Sequence, residues 1–264
     1  MLLSALLLGL LEGVTEFLPV SSTGHLILAS DLLGLDNPTN KLFEIVVQLG
    51  AILAVCWLYR GKLLETACGA ARRDPKALRF AGAVLLGFLP AMALGAVFHD
   101  FIKNVLFNPT VVSVAMILGG VVLILVERFK PQARMEDVDA LPLRTCFMIG
   151  LFQCLAMIPG TSRSGATIIG AMLLGVGRKA AAEYSFFLAI PTMFAATAYD
   201  LFKARHDLTL DGAAMIAVGF VAAFISALVV IKAFVGYISQ HDFAPFGWYR
   251  IAVGIVMLGI LAAR

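Results

Sequence analysis

Glu12-Gly13-Val14-Thr15-Glu16-Phe17-Leu18-Pro19-Val20-Ser21-Ser22-Thr23-Gly24-His25 lies between two apolar arms, Met1 to Leu11 and the run that begins Leu26-Ile27-Leu28. Two carboxylates, a row of hydroxyls, a proline, two glycines and a histidine fall within fourteen residues. Polar groups at that density in an apolar context are costly unless they face each other, water or a ligand. A second stretch, Gln153 to Thr167, has the same design and contains Arg163. The two stretches read as halves of one site.

The surroundings set the fold class. Of 264 residues, 61% are hydrophobic and 14% charged, and the mean hydropathy is +0.94. A soluble domain has about 25% charged residues. Here the charges are confined to short blocks between apolar runs 43–59, 81–98, 111–126, 184–202, 213–231 and 248–263. These runs, 16 to 19 residues long, sit near the lower end of the roughly 17–25 that a spanning helix needs. The sequence therefore predicts an all-α polytopic membrane protein, a single domain over 1–264 with six spans. Arg250, beside Trp248 and Tyr249, is expected to snorkel toward the interface. The basic stretch 60–79 and the segment 127–144, with its two prolines, read as loops.

Residues 1–33 and 145–177 do not read as spans. Each has an apolar arm, a Pro/Gly/Ser break and a second arm, the pattern of a re-entrant hairpin whose broken tip lines a cavity. The N-terminal arm lacks the basic start and small-residue cleavage site of a signal peptide. The four cysteines, Cys56, Cys68, Cys146 and Cys154, fit neither a disulfide framework nor a metal-ligand spacing. A net charge of +3 gives no reason to expect a nucleic-acid partner.

A shift of 141 residues superposes the two stretches: Gly9 on Gly150, Glu12 on Gln153, Ser21 on Ser162, Thr23 on Ser164 and Gly24 on Gly165. His99-Asp100-Phe101 returns as His241-Asp242-Phe243 at a shift of 142. The sequence thus reads as a duplication, with repeats at 1–127 and 145–264. Three spans between the copies invert the second, so that the two tips can meet near the midplane. Of the twenty Lys and Arg, fourteen fall on one side of this topology, in 60–80, 128–144, 178–183 and 232–250. The positive-inside rule makes that side cytoplasmic, and the Glu12–His25 hairpin then enters from the outer side.

Each polar residue has a plain alternative. Glu12 and Glu16, at i and i+4, share a helix face. They share a proton or a hard divalent cation such as Mg²⁺ or Ca²⁺, unless they are merely a polar stripe between helices. Ser21, Ser22, Thr23 and Gly24 offer hydroxyls and a turn whose N–H groups can cup an anion, although such runs also serve helix packing. His25, one turn from Ser22, can act as acid, base or nucleophile, or simply bond between helices. Arg163 cannot shed its charge by losing a proton, so it needs a carboxylate or a phosphate partner. Around it Gly160, Ser162, Ser164, Gly165 and Thr167 supply a turn and hydroxyls.

Glu12 to His25 and Pro159-Gly160-Thr161-Ser162-Arg163-Ser164-Gly165-Ala166-Thr167 resemble the two motifs of the undecaprenyl-diphosphate phosphatase family, the bacitracin-resistance membrane phosphatases of bacteria. The resemblance extends over essentially the whole chain. It implies hydrolysis of undecaprenyl diphosphate to undecaprenyl phosphate and inorganic phosphate, which recycles the lipid carrier for cell-wall synthesis. It also implies a divalent cation and an inner-membrane protein whose site opens to the periplasm. Its roles map onto Glu12 and Glu16 (metal or proton handling), Ser22 and His25 (attack on phosphorus or its activation) and Arg163 (phosphate clamp). Ser22 is the preferred nucleophile, with Glu16 or His25 as its base; a phosphohistidine at His25 and a metal-activated water stay open. A polyprenyl-phosphate flippase would want the same clamp. The sequence leaves monomer and homodimer equally open.

Overall fold

The computed structural model describes residues 2–33, 39–101, 108–129, 132–204 and 212–263. The connectors expected at 31–41 and 99–108 lie partly outside them, as do Lys103, Lys130, Arg205 and Arg264. Eleven α-helices occur among the described residues. In chain order they are α1 (Leu2–Thr15), α2 (Ser22–Leu33), α3 (Thr39–Leu58), α4 (Arg60–Ala71), α5 (Pro75–Phe101) and α6 (Pro109–Phe129), followed by α7 (Leu143–Gln153), α8 (Arg163–Leu173), α9 (Arg178–Ala204), α10 (Ala213–Ile238) and α11 (Ala244–Ala262). The described residues contain no strand beyond an isolated bridge between Met135 and Val176.

Apolar runs of this length satisfy their backbone polar groups internally only as helices. Five of them, α5, α6, α9, α10 and α11, are long and apolar enough to cross a membrane. A sixth span results if α3 and α4, bent by 75°, count as one. Large apolar side chains stay exposed on the outer faces, among them Leu3, Val97, Leu118, Phe202, Val229 and Ile255, as lipid requires. The chain is an all-α polytopic membrane protein.

The expected basic loop at 60–79 is instead helical: α4 occupies most of it and α5 already begins at Pro75. Its basic residues are separated by good helix formers such as Leu63, Leu64, Glu65 and Ala67, and propensity favours a helix there. The His99 and His241 triplets are not equivalent places. The first ends α5, whereas the second forms the turn between α10 and α11.

Residues 2–33 and 145–177 each fold as helix, break, helix. In the first, α1 and α2 flank a turn at Glu16–Ser21; in the second, α7 and a 3₁₀ turn at Cys154–Met157 precede a break before α8. Exchanging the halves of the chain leaves the main packing pairs unchanged. Helix α1 lies on α10 as α7 lies on α5, α3 meets α10 as α9 meets α5, and α3–α9 and α6–α11 are their own counterparts. Glycines let the backbones touch in both copies. A Cβ at Gly9 would lie 2.3 Å from the Gly219 carbonyl oxygen, and one at Gly150 would lie 2.2 Å from that of Gly87. Such small-residue seams replace hydrophobic driving force where the surroundings are as apolar as the side chains.

Candidate active site

The two tips are cut to the same pattern. Ser21 and Ser162, 141 residues apart, both hold φ of 72°, a conformation that costs an ordinary residue about 1–2 kcal/mol. Each serine is the last residue before a helix. Ser21 Oγ accepts from the Gly24 N–H at 3.4 Å, and Ser162 Oγ accepts from the Gly165 N–H at 3.1 Å. Their carbonyls take the first helical bonds, from His25 N–H and Ala166 N–H. The caps partly offset the strain by satisfying helix N-terminal donors. What they hold in place is a sharp reversal, after which Ser22 and Arg163 occupy matching first positions of α2 and α8.

The tips meet. Ser164 Oγ donates to the Leu18 carbonyl at 2.7 Å, and Phe17 is fully buried in the main apolar core, edge-on to Phe186 with ring centroids 5.7 Å apart. Arg163 lies over the Phe17 ring at 5.9 Å, donates to Glu16 Oε1 at 3.2 Å and to the Ser185 carbonyl of α9 at 3.1 Å. The other oxygen of Glu16 accepts the Ser22 hydroxyl. One carboxylate therefore joins a hydroxyl of its own tip to the guanidinium of the other. The Arg163 Nε–H is buried with no hydrogen-bond partner among the described residues.

These groups open onto a cavity of about 360 Å³. Its polar wall is Glu16, Ser21, Ser22, Thr23, Ser162 and Arg163, with Gln48 from α3, Gln153 at the end of α7, and Thr192 and Asp200 from α9. Its apolar wall includes Ala91 and Gly95 of α5 and Met193 and Ala196 of α9. Both helices reach the cavity immediately after an internal proline, Pro90 or Pro191. Anion clamp, acid and hydroxyl at one end, with an apolar strip beside them, suit an amphiphile bearing phosphate.

The chain matches the family of bacitracin resistance protein BacA over residues 5–256. It belongs to that family. Within it, a protein of Cereibacter sphaeroides named undecaprenyl-diphosphatase is 54% identical over 260 residues, covering 98% of this chain and 96% of the relative. One of Rhizorhabdus wittichii with the same name is 55% identical over 263 residues, 100% of this chain and 98% of the relative. A third, undecaprenyl-diphosphatase 2 of Paramagnetospirillum magneticum, is 51% identical over 263 residues and covers both chains in full.

The residues singled out in the sequence divide into two groups. Glu16, Ser21, Ser22, Thr23, Gly160, Ser162 and Arg163 line the cavity; Glu12, Gly24, His25, Ser164, Gly165 and Thr167 do not. Glu12 is fully buried one turn before Glu16. His25 donates or accepts at both ring nitrogens, to the Ser21 carbonyl at 2.7 Å and the Tyr249 hydroxyl at 2.7 Å, and its ring stacks on that of Tyr249. Since the carbonyl can only accept, Nδ1 carries the proton and Nε2 accepts from tyrosine. It braces the first tip from behind and does not reach Ser22's hydroxyl. Thr167 bonds Ser185 Oγ at 2.7 Å behind the second tip.

Arg250 corrects the reading of the last helix. It is fully buried, while its neighbours Trp248 and Tyr249 are 63% and 46% exposed. Consecutive helical residues point about 100° apart, so an exposed aromatic pair says nothing about the next side chain. The signal that found Arg163, a guanidinium inside an apolar run, was present here too. Gln153 was visible as the counterpart of Glu12; Thr192 and Ser185 carried no mark that set them apart from ordinary helix-packing residues, and Tyr249 read only as an interfacial aromatic.

Proposed function

We propose that the chain is an integral membrane phosphatase that hydrolyses undecaprenyl diphosphate to undecaprenyl phosphate and inorganic phosphate. It would thereby recycle the lipid carrier of cell-wall synthesis and confer bacitracin resistance. The observation that carries this reading is the convergence of Ser22, Glu16 and Arg163 from two tips onto one cavity, in a chain 51–55% identical to proteins named for that activity.

In this reading the terminal phosphate enters against the Arg163 guanidinium on the cavity wall, whose Nη2 is shared with Glu16. Glu16 takes the proton of Ser22, and the serine oxygen attacks the terminal phosphorus in line with the bridging oxygen. The P–O bond to the prenyl-side phosphate breaks, and undecaprenyl phosphate leaves with that electron pair and takes up the proton held by Glu16, which returns to its carboxylate form. Water then attacks the phosphoserine, Glu16 again accepts the proton, and phosphate departs as Ser22 regains its hydrogen. His25 enters this scheme only by fixing the first tip.

The donor set suits a hard divalent cation of the Mg²⁺ or Ca²⁺ kind, because the carboxylates and amides on the cavity wall offer oxygen: the carboxylates of Glu16 and Asp200 and the amide oxygens of Gln48 and Gln153. Among the described residues no cluster of three His, Cys, Asp or Glu exists that would hold a metal unaided. The remaining ligands would come from the diphosphate itself. When bound, such an ion neutralises charge on the phosphates. Glu12 lies outside the cavity lining and would act through Glu16.

The exchange of packing pairs between the halves supports an inverted repeat at 1–127 and 145–264, with re-entrant hairpins at 1–33 and 145–177. The distribution of Lys and Arg supports a bacterial inner-membrane orientation with the cavity open to the periplasm. Purified protein given undecaprenyl diphosphate and Mg²⁺ should release phosphate, and chelation should stop it. A carrier built on the same tips would bind the lipid and release none, and that outcome would reject the phosphatase reading.

A further inference from the structure

The geometry points to Arg250 as the positioning residue that fixes the distance between the two tips, in support of the reaction proposed above, on which its kinetic consequences rest. Its guanidinium donates only to backbone carbonyls: Nε to Met116 at 3.3 Å, Nη1 to Pro19 at 3.2 Å, and Nη2 to Ala115 at 3.3 Å and Gly160 at 3.0 Å. Pro19 and Gly160 are the same position in the two tips, 141 residues apart, and each lies three residues before a reacting side chain, Ser22 or Arg163. A broken helix leaves carbonyls without N–H partners, and in an apolar interior they must find a donor. One planar fork serves both tips and anchors them to α6. A lysine ammonium, a single point of charge, cannot span all four carbonyls.

The slot for this fork is built of glycine. A Cβ at Gly119 of α6 would lie 2.1 Å from Nη2, and one at Gly165 would lie 2.9 Å from Nη1. The far end of a long side chain ordinarily moves aside from such a contact. This one is tethered by four bonds, so it moves only by releasing a tip. Gly119→Ala therefore disturbs the clasp without removing its charge, and it places the better helix former in α6.

The test uses the full chain in detergent. Gly119→Ala should lower kcat about tenfold and leave KM within about threefold, since the phosphate-binding groups remain but the attack geometry shifts. Arg250→Lys should lower kcat further. In the Arg250→Lys background Gly119→Ala should add little, because the nitrogen that the new methyl strikes hardest is gone. Wild-type kcat in Gly119→Ala, or losses that multiply in the double variant, would overturn the proposal. A second measurement does not depend on activity: the cross-linking rate between cysteines placed at Leu18 and Ser164, adjacent across the tips, in a background without the four native cysteines. That rate should fall at least threefold with Gly119→Ala and with Arg250→Lys. An unchanged rate would sink the clasp, whereas a wild-type protein that releases no phosphate would count against the phosphatase reading alone.

Discussion

The first tip and the second share a backbone and divide the chemistry. Both turn at a serine held at φ 72°, both cap a helix with that serine, and both present their next side chain to the cavity. Yet the first presents Ser22 beside Glu16, while the second presents Arg163, with Met157 where Glu16 would fall and Gln153 where Glu12 would fall. Two matching turns thus supply equivalent perches, and differences at three positions make one acidic and hydroxyl-bearing and the other cationic. Neither tip is self-sufficient: Glu16 needs a cation and Arg163 an anion, and the ion pair between them couples the halves.

Removing the cationic half should hurt most. Arg163→Ala should lower kcat/KM by about 10³-fold or more, the scale of a lost arginine in phosphoryl transfer, measured as phosphate release at fixed Mg²⁺. Arg163→Lys should recover only part of it, since an ammonium lacks the fork. The acidic half comes next. Ser22→Ala and Glu16→Gln should each cost about 10²–10⁴-fold in kcat, and together little more than either alone, because they act as one unit. Near-wild-type turnover in Ser22→Ala would remove serine as nucleophile. Exchanging the two, as Ser22→Arg with Arg163→Ser, should restore nothing, because Met157 cannot serve the relocated serine as Glu16 does.

Smaller effects sharpen the distinction between cavity wall and brace. His25→Gln should keep turnover within about tenfold of wild type, because the imidazole acts only through tip position; a larger loss at unchanged folding would return His25 to the chemistry. Smallest of all, Ser162→Gly relieves a positive φ and gives up a cap. The balance should raise stability by about 1 kcal/mol, read as a higher melting temperature in detergent, while the missing hydroxyl lowers turnover.

Much of this was legible in the residues. The low charge, the long apolar runs and the two breaks at Pro19 and Pro159-Gly160 announce a membrane protein with interrupted helices, because backbone polar groups in lipid leave few alternatives. The 141-residue shift pairs Ser21 with Ser162, the two serines that hold φ 72°. The 60–79 stretch was misread because a run of Lys and Arg signals a side of the membrane but does not exclude helix.

The sequence by itself determined the class of the protein, the two broken stretches and the need of Arg163 for an anionic partner, since these follow from composition and from a group that cannot lose its charge. Only the tertiary structure decided who meets whom. Glu16 pairs with Arg163; His25 turns back to the Tyr249 hydroxyl; Arg250 points inward while Trp248 points out. The reason is geometric: a residue's type sets what it must find, but the rotation of its helix and the packing of its neighbours set the direction in which it looks.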